Sequence, residues 1–235
     1  MRQIVLDTET TGLEALQGHR IIEIGGVELL NRRPSGRHFH RYLNPERDID
    51  EGALKVHGIS RARLEAEPKF REVASELTEF LRGAELVIHN APFDVGFLNA
   101  EFALLPGPRV TVADLCTVVD SLALARQMHP GQRNGLDALC KRYNVDNSGR
   151  DLHGALLDSQ LLAEVYLAMT GGQVSLGLGE ASGARAAQQD AWAPLIRPAG
   201  PLPVVVPTAE EEAAHEAFLD LVAKSAKGKC LWRQT

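Results

Sequence analysis

Three extended apolar runs crowd into the first 43 residues, and beyond residue 70 the pattern changes to short apolar runs alternating with segments of helical period. The opening runs, RQIVLD (2–7), RIIEIGGVELL (20–30) and RHFHRYL (37–43), are joined by short polar connections, with Gly12 and Gly18 in the first and NRRPSG in the second. Short connections favour antiparallel neighbours, so these runs predict a meander. After it, FREVASELTEFLRG (70–83) reads as helix, ELVIH (85–89) as strand, PFDVGFLNAEFALL (92–105) as helix and RVTVAD (109–114) as strand. Helical segments are then expected over 115–128, 134–142 and about 155–169. A meander followed by strand and helix alternation predicts an α/β domain over residues 1–170: a mixed sheet, antiparallel meander plus parallel strands, flanked by helices.

The composition shifts after that domain. Residues 171–208 hold five of the twelve prolines and six glycines with no periodicity, the make-up of a flexible linker. Within 209–235, TAEEEAAHEAFLDLVAKS is introduced by a capping-box pair, Thr208 and Glu211, and sets His215, Phe218, Leu219 and Val222 on one stripe. A short amphipathic helix beyond a long linker has no core of its own, so docking on a partner is expected, with packing back onto the first domain as the alternative. The three cysteines, Cys116, Cys140 and Cys230, are widely spaced and odd in number, which argues against a zinc site and a disulfide framework. No segment approaches the roughly 20 apolar residues of a membrane span, and MRQIVLD has no apolar leader, so a cytoplasmic protein without a membrane partner is expected. The net charge of −6 argues against a tight, metal-free grip on long DNA. It does not exclude a phosphodiester held through divalent ions, which bring positive charge to the point where phosphate sits.

The acids narrow the function further. In IVLDTETTG, residues i and i+2 of a strand share a face, so Asp7 and Glu9 project side by side; solvated acids at a strand end are the plain alternative. In VIHNAPFD an apolar strand exits into Pro92 at the start of a helix, with Asp94 in the first turn, where the helix dipole alone would also favour an acid. In LHGALLDSQLLAEVY, His153 and Asp158 are five residues apart, roughly 500° around a helix, and therefore not on one face. The pair works together if His153 lies in the loop ahead of the helix and Asp158 within it. Oxygen-rich, sulfur-free ligand sets suit Mg²⁺ or Mn²⁺, and two such ions serve in-line phosphoryl displacement. A histidine can take the proton from the attacking water. Four carboxylates with one histidine thus point to a phosphodiesterase.

The motifs DTETTG, HNAPFD and HGALLDSQ, in this order and spacing, resemble the DEDDh family of 3′→5′ exonucleases, whose fold is RNase H-like. The resemblance is strongest to the proofreading branch that serves bacterial replicative polymerases, and extends through GLDALCKRYNVDNSGR and AEVYLAMTGG to about residue 172. It implies that Asp7, Glu9, Asp94 and Asp158 bind two divalent ions, Mg²⁺ or Mn²⁺, with Asp7 bridging both, and that His153 is the general base. It implies substrate contacts at Thr10, Leu13 (an apolar wedge against the terminal bases), His57 and Asn90. Asp120 and Asp137 are left as helix-surface acids or supports behind the site. The implied partners are DNA 3′ ends, single-stranded or frayed; the sliding clamp, through QVSLGL (173–178) with Gln173, Leu176 and Leu178 as anchors; and the polymerase catalytic subunit, through Phe218, Leu221 and Trp232. Such an enzyme would release nucleoside 5′-monophosphates and work in the bacterial cytoplasm, with the nucleoid during replication. The competing readings are an RNA-trimming exonuclease of the same superfamily and a mainly structural subunit of a polymerase assembly.

Overall fold

The computed structural model describes residues 1–149, 152–171, 206–225 and 231–233. Gln173, Leu176 and Leu178 lie outside them. The chain divides into two compact units, Met1–Gly177 and Leu178–Thr235.

In the first unit a five-stranded sheet has the order β3-β2-β1-β4-β5. It comprises β1 (Arg2–Thr10), β2 (Ile21–Leu30), β3 (Arg33–Tyr42), β4 (Glu85–Ile88) and β5 (Thr117–Asp120). β1 pairs antiparallel with β2 and parallel with β4, and β4 pairs parallel with β5, so the expected mixed sheet is present. β1 is central, which explains its unbroken apolar run: Ile4, Val5 and Leu6 are fully buried, covered on both faces. Ile4 and Leu6 face a core built with α3 (Phe70–Leu81) and α4 (Ala91–Ala103), whereas Val5 faces α6 (Ser121–Met128), α7 (Leu136–Tyr143) and α8 (Ala155–Thr170). Adjacent glycines of β2 follow the same alternation. A Cβ on Gly26 would meet Phe80 of α3, and one on Gly25 would meet the backbone of Ala155 and Leu156 in α8.

Several local expectations are corrected. The β2–β3 connection is a two-residue turn, not the six of NRRPSG: Asn31 and Arg32 take φ of 49° and 64°, the primed-turn geometry that matches strand twist. Arg33–Gly36 therefore belong to β3, where Pro34 is tolerated on the sheet edge. Residues 109–114 are not a strand. Thr111 caps a short helix, α5 (Val112–Leu115), through the Asp114 carboxylate at 2.7 Å, and the next strand is the β-branched TVVD of β5. Asp120 then accepts from the Leu122 and Ala123 amides and starts α6, so 115–128 divides into strand and helix. Two short helices, α1 (Glu51–His57) and α2 (Arg61–Leu64), lie where none was expected.

In the second unit, α9 (Ala209–Ser225) begins at the expected capping box, with the Thr208 hydroxyl donating to Glu211 at 2.9 Å. Arg233 closes on Glu216 and Asp220 of α9, at 2.5 and 2.7 Å. Phe218, Leu221 and Trp232 are exposed. Among the described residues no helix is long and apolar enough to cross a membrane.

Candidate active site

β1 alternation aims the site. Asp7 and Glu9 share the Val5 face, toward α8, while Thr8 points the other way, toward α4. There the Thr8 hydroxyl donates to Asp94 Oδ1 at 2.6 Å and fixes the carboxylate in the first turn of α4. Asn90, in the left-handed region at φ 68°, makes the sharp exit from β4 that starts this helix, and its amide is held by Asp120 at 3.2 Å.

The α8 side is brought in by a contact that the sequence reading missed. Asp7 pairs across the ladder with Gly25, against which the first turn of α8 lies, so the helix that carries Asp158 approaches β2, beside Asp7, as closely as bare backbone allows. His153 does sit in the loop ahead of α8. Its backbone amide donates to the Val56 carbonyl at 3.1 Å, and Leu152 packs against Gly58, so the unexpected helix α1 anchors this loop. His153 Nδ1 stands 3.2 Å from Asp158 Oδ2.

Asp7, Glu9, Asp94, His153 and Asp158 thus line one open cavity of about 1020 Å³, joined by Asn90, Phe93, Arg133 and Lys141. Ligand atoms of Glu9, His153 and Asp158 lie within 4.8 Å of one another. Glu9, Asp94 and Asp158 are nearly inaccessible, at 8%, 3% and 3% exposure. The buried Glu28 and Glu101 are each met by an arginine, Arg2 or Arg20. Asp94 is met by a hydroxyl and backbone amides, and burial pushes its carboxyl up to about 7. A hard divalent cation is what such an oxygen-rich set fits, since it would restore the charge that burial disfavours.

The expected substrate contacts are placed unevenly. Asn90 lines the cavity, while Leu13, 79% exposed, lines an adjoining cavity of about 840 Å³ that shares Asn90 and Phe93. Thr10 is buried, and its hydroxyl donates to the Gly12 carbonyl at 2.7 Å. His57 is buried, accepts at Nδ1 from the Ile59 amide at 3.0 Å, and is held below the ordinary histidine range by burial; its Nε2 has no hydrogen-bond partner among the described residues. Behind Leu13 stands His19, unremarked in the sequence reading. Its ring fills the space a Gly12 Cβ would occupy and bonds the Thr11 hydroxyl at 3.0 Å.

A mixed sheet in this order, helices on both faces and an acid-lined cavity at the end of its central strand define the class: an exonuclease of DEDDh type on an RNase H-like fold. Residues 4–166 match the family model described as Exonuclease. Among solved structures, Exonuclease X in complex with 5′-overhanging duplex DNA is similar with a TM-score of 0.56 at 25% identity, over 72% of this chain and 91% of that one. The nuclease domain of 3′hExo, a DEDDh family member bound to rAMP, gives 0.60 at 19% identity, over 72% and 90%. The DNA polymerase III subunit epsilon of Escherichia coli K12 is 55% identical over 99% of this chain and 97% of its own length. That of Haemophilus influenzae is 50% identical over 98% and 94%. The chain belongs to the family of DNA polymerase III epsilon subunits, the metal-dependent proofreading 3′→5′ exonucleases of bacterial replicative polymerases.

Proposed function

We propose that Asp7, Glu9, Asp94 and Asp158 hold two divalent ions, Mg²⁺ or Mn²⁺, and that His153 is the general base for removal of mispaired 3′-terminal nucleotides from DNA. The observation that carries this reading is the meeting of these five side chains, from β1, α4, the loop after α7 and α8, around one cavity. When bound, the ions supply charge that stabilises the phosphoryl group and its leaving oxygen. The Asp158 carboxylate, facing His153 Nδ1, sets the tautomer that leaves Nε2 to take the water proton and stabilises the imidazolium that results. The water oxygen bonds to phosphorus, the bond to the 3′ oxygen of the preceding nucleotide breaks, and a nucleoside 5′-monophosphate leaves. Leu13 wedges against the terminal bases, and Thr10, His57 and Asn90 line the path of the 3′ end; the unpartnered Nε2 of His57 supports a donor role there. Preference for errors needs no base reading, because extruding a nucleotide costs about a few kcal/mol and less when it is mispaired.

We further infer an exonuclease domain over 1–170, a linker over 171–208 whose QVSLGL segment at 173–178 binds the sliding clamp through Gln173, Leu176 and Leu178, and a polymerase-binding segment over 209–235. Exposed Phe218, Leu221 and Trp232 support the last of these. Such a tether raises the local concentration of the nuclease at the primer end, which offsets the acidic charge of the chain. The setting is the cytoplasm, with the nucleoid during replication.

The test is Mg²⁺-dependent nucleotide release from a mispaired DNA primer, a matched primer and an RNA strand of the same sequence. Mispaired DNA should be degraded fastest, and a strong RNA preference would overturn the proofreading assignment. His153→Ala should lower kcat by about 10²–10⁴ while Mn²⁺ affinity stays within a few-fold of wild type. Full activity in that variant would remove His153 from the base role.

A further inference from the structure

Beside the carboxylates, the active-site cavity is lined by two cations that the chemistry above does not use. Arg133 and Lys141 both line the cavity and are exposed, and neither makes an ion pair among the described residues. Arg2, Arg20 and Arg41, by contrast, are paired with Glu28, Glu101 and Glu76.

The position of Arg133 is built rather than incidental. Asn134, 7% exposed, donates through Nδ2 to the carbonyls of His129 and Gln132, both at 3.1 Å. Its Oδ1 accepts from Arg142 Nη1 at 3.1 Å, and Arg142 Nη2 reaches the Arg133 carbonyl at 2.8 Å. His129 is tied to the Tyr143 hydroxyl at 2.7 Å. The loop before α7 is thereby pinned to α7 itself, and it presents Arg133 to the cavity with much of its ordering completed before any ligand arrives. Lys141 stands one helical turn beyond Asp137, on the face of α7 that lines the same cavity. Asp137 accepts from Asn147 Nδ2 at 3.2 Å.

We propose that Arg133 and Lys141 form a phosphate ledge that grips the single strand upstream of the scissile bond, on the phosphodiester 5′ to the one being cut. The inference rests on the exonuclease reading above and assigns the side of the cavity formed by α7 and the loop before it. A phosphate at the carboxylates is served through bound cations, whereas Arg133 and Lys141 are solvent-facing and call for a second anion. Contacts to phosphate position a strand without reading its bases, as removal of any terminal nucleotide requires.

The experiment compares two substrates with full-length wild-type chain, the double variant Arg133→Gln/Lys141→Gln and the charge-preserving Arg133→Lys/Lys141→Arg. One substrate is a single-stranded oligonucleotide, and the other is the nitrophenyl ester of thymidine 5′-monophosphate, which has no upstream phosphate. In the glutamine variant the ratio of kcat/KM on the oligonucleotide to that on the ester should fall about tenfold, through KM. The slope of log KM against log salt should drop by about 0.7, the value for one phosphate neutralised on a single strand. The charge-preserving variant should recover most of the ratio. A ratio and salt slope that stay at wild type would overturn the proposal, as would an equal loss on both substrates, which would place the cations at the scissile phosphate or in the fold. Absence of wild-type activity on both substrates would instead remove the exonuclease reading, and the ledge with it.

Discussion

Replacing Gly25 with alanine would place a methyl group inside the first turn of α8. Its Cβ would lie 2.1 Å from the Leu156 nitrogen and 2.2 Å from the Ala155 carbonyl carbon, both backbone atoms with no rotamer to yield. Ordinary contact begins at 3.4 Å, so the helix must recede from β2 by about 1.3 Å or the strand must bend. That helix carries Asp158, and Gly25 pairs with Asp7, so the displacement acts on the gap between two proposed ligands of the same ions. A misplacement of about 1 Å costs on the order of 100-fold in rate, and overpacking of this kind costs about 1–3 kcal/mol of stability. Gly25→Ala should therefore fold, melt several degrees lower, bind Mn²⁺ more weakly and release 3′-terminal nucleotides about 100-fold more slowly. Gly26→Ala is the control: its Cβ would meet Phe80 Cε1 at 3.2 Å, a side-chain atom that moves by a few tenths of an ångström. Its activity should stay within a few-fold of wild type. Titration calorimetry with Mn²⁺, thermal melting and primer degradation read the three quantities. A Gly25→Ala enzyme as fast as Gly26→Ala would refute the idea that the α8–β2 approach sets the site.

Asp94 predicts a pH dependence. Its carboxyl rises by burial from the ordinary 3.8 to about 7, so the folded state holds the proton more tightly than the unfolded chain does. The metal-free protein should lose stability as pH rises from about 4 to about 7, by roughly 4 kcal/mol, and divalent metal should restore it. In chelator, Asp94→Asn should flatten that decline in Tm; an unchanged decline would place its origin elsewhere. His19→Ala should release the Gly12–Leu13 turn, raising KM for oligonucleotides several-fold and costing about 1–3 kcal/mol, because the Thr11 hydroxyl keeps its bond from the Arg20 amide but loses the buried imidazole. Equal KM values for variant and wild type would show that the turn holds its shape without the ring.

Much of this molecule is legible along the chain because strand and helix periods are local. The apolar run of β1, the i and i+2 placement of Asp7 and Glu9, the first polar interruption of the meander, and His153 ahead of the helix that carries Asp158 all follow from windows of ten residues or fewer. Local windows also mislead. RVTVAD alternates like a strand, yet Thr111 and Asp114 cap a helix there, and the parallel pairing with β4 goes to TVVD, one segment later. What only the tertiary structure decided is convergence. Asp7 and Asp158 line one cavity because the β1–β2 register sets Gly25 opposite Asp7 and a missing side chain lets α8 come down onto it. His153 is held by the carbonyl of Val56 on α1, almost a hundred residues earlier. Such relations depend on register and on distances between backbones far apart in the chain, which no periodicity within one segment encodes.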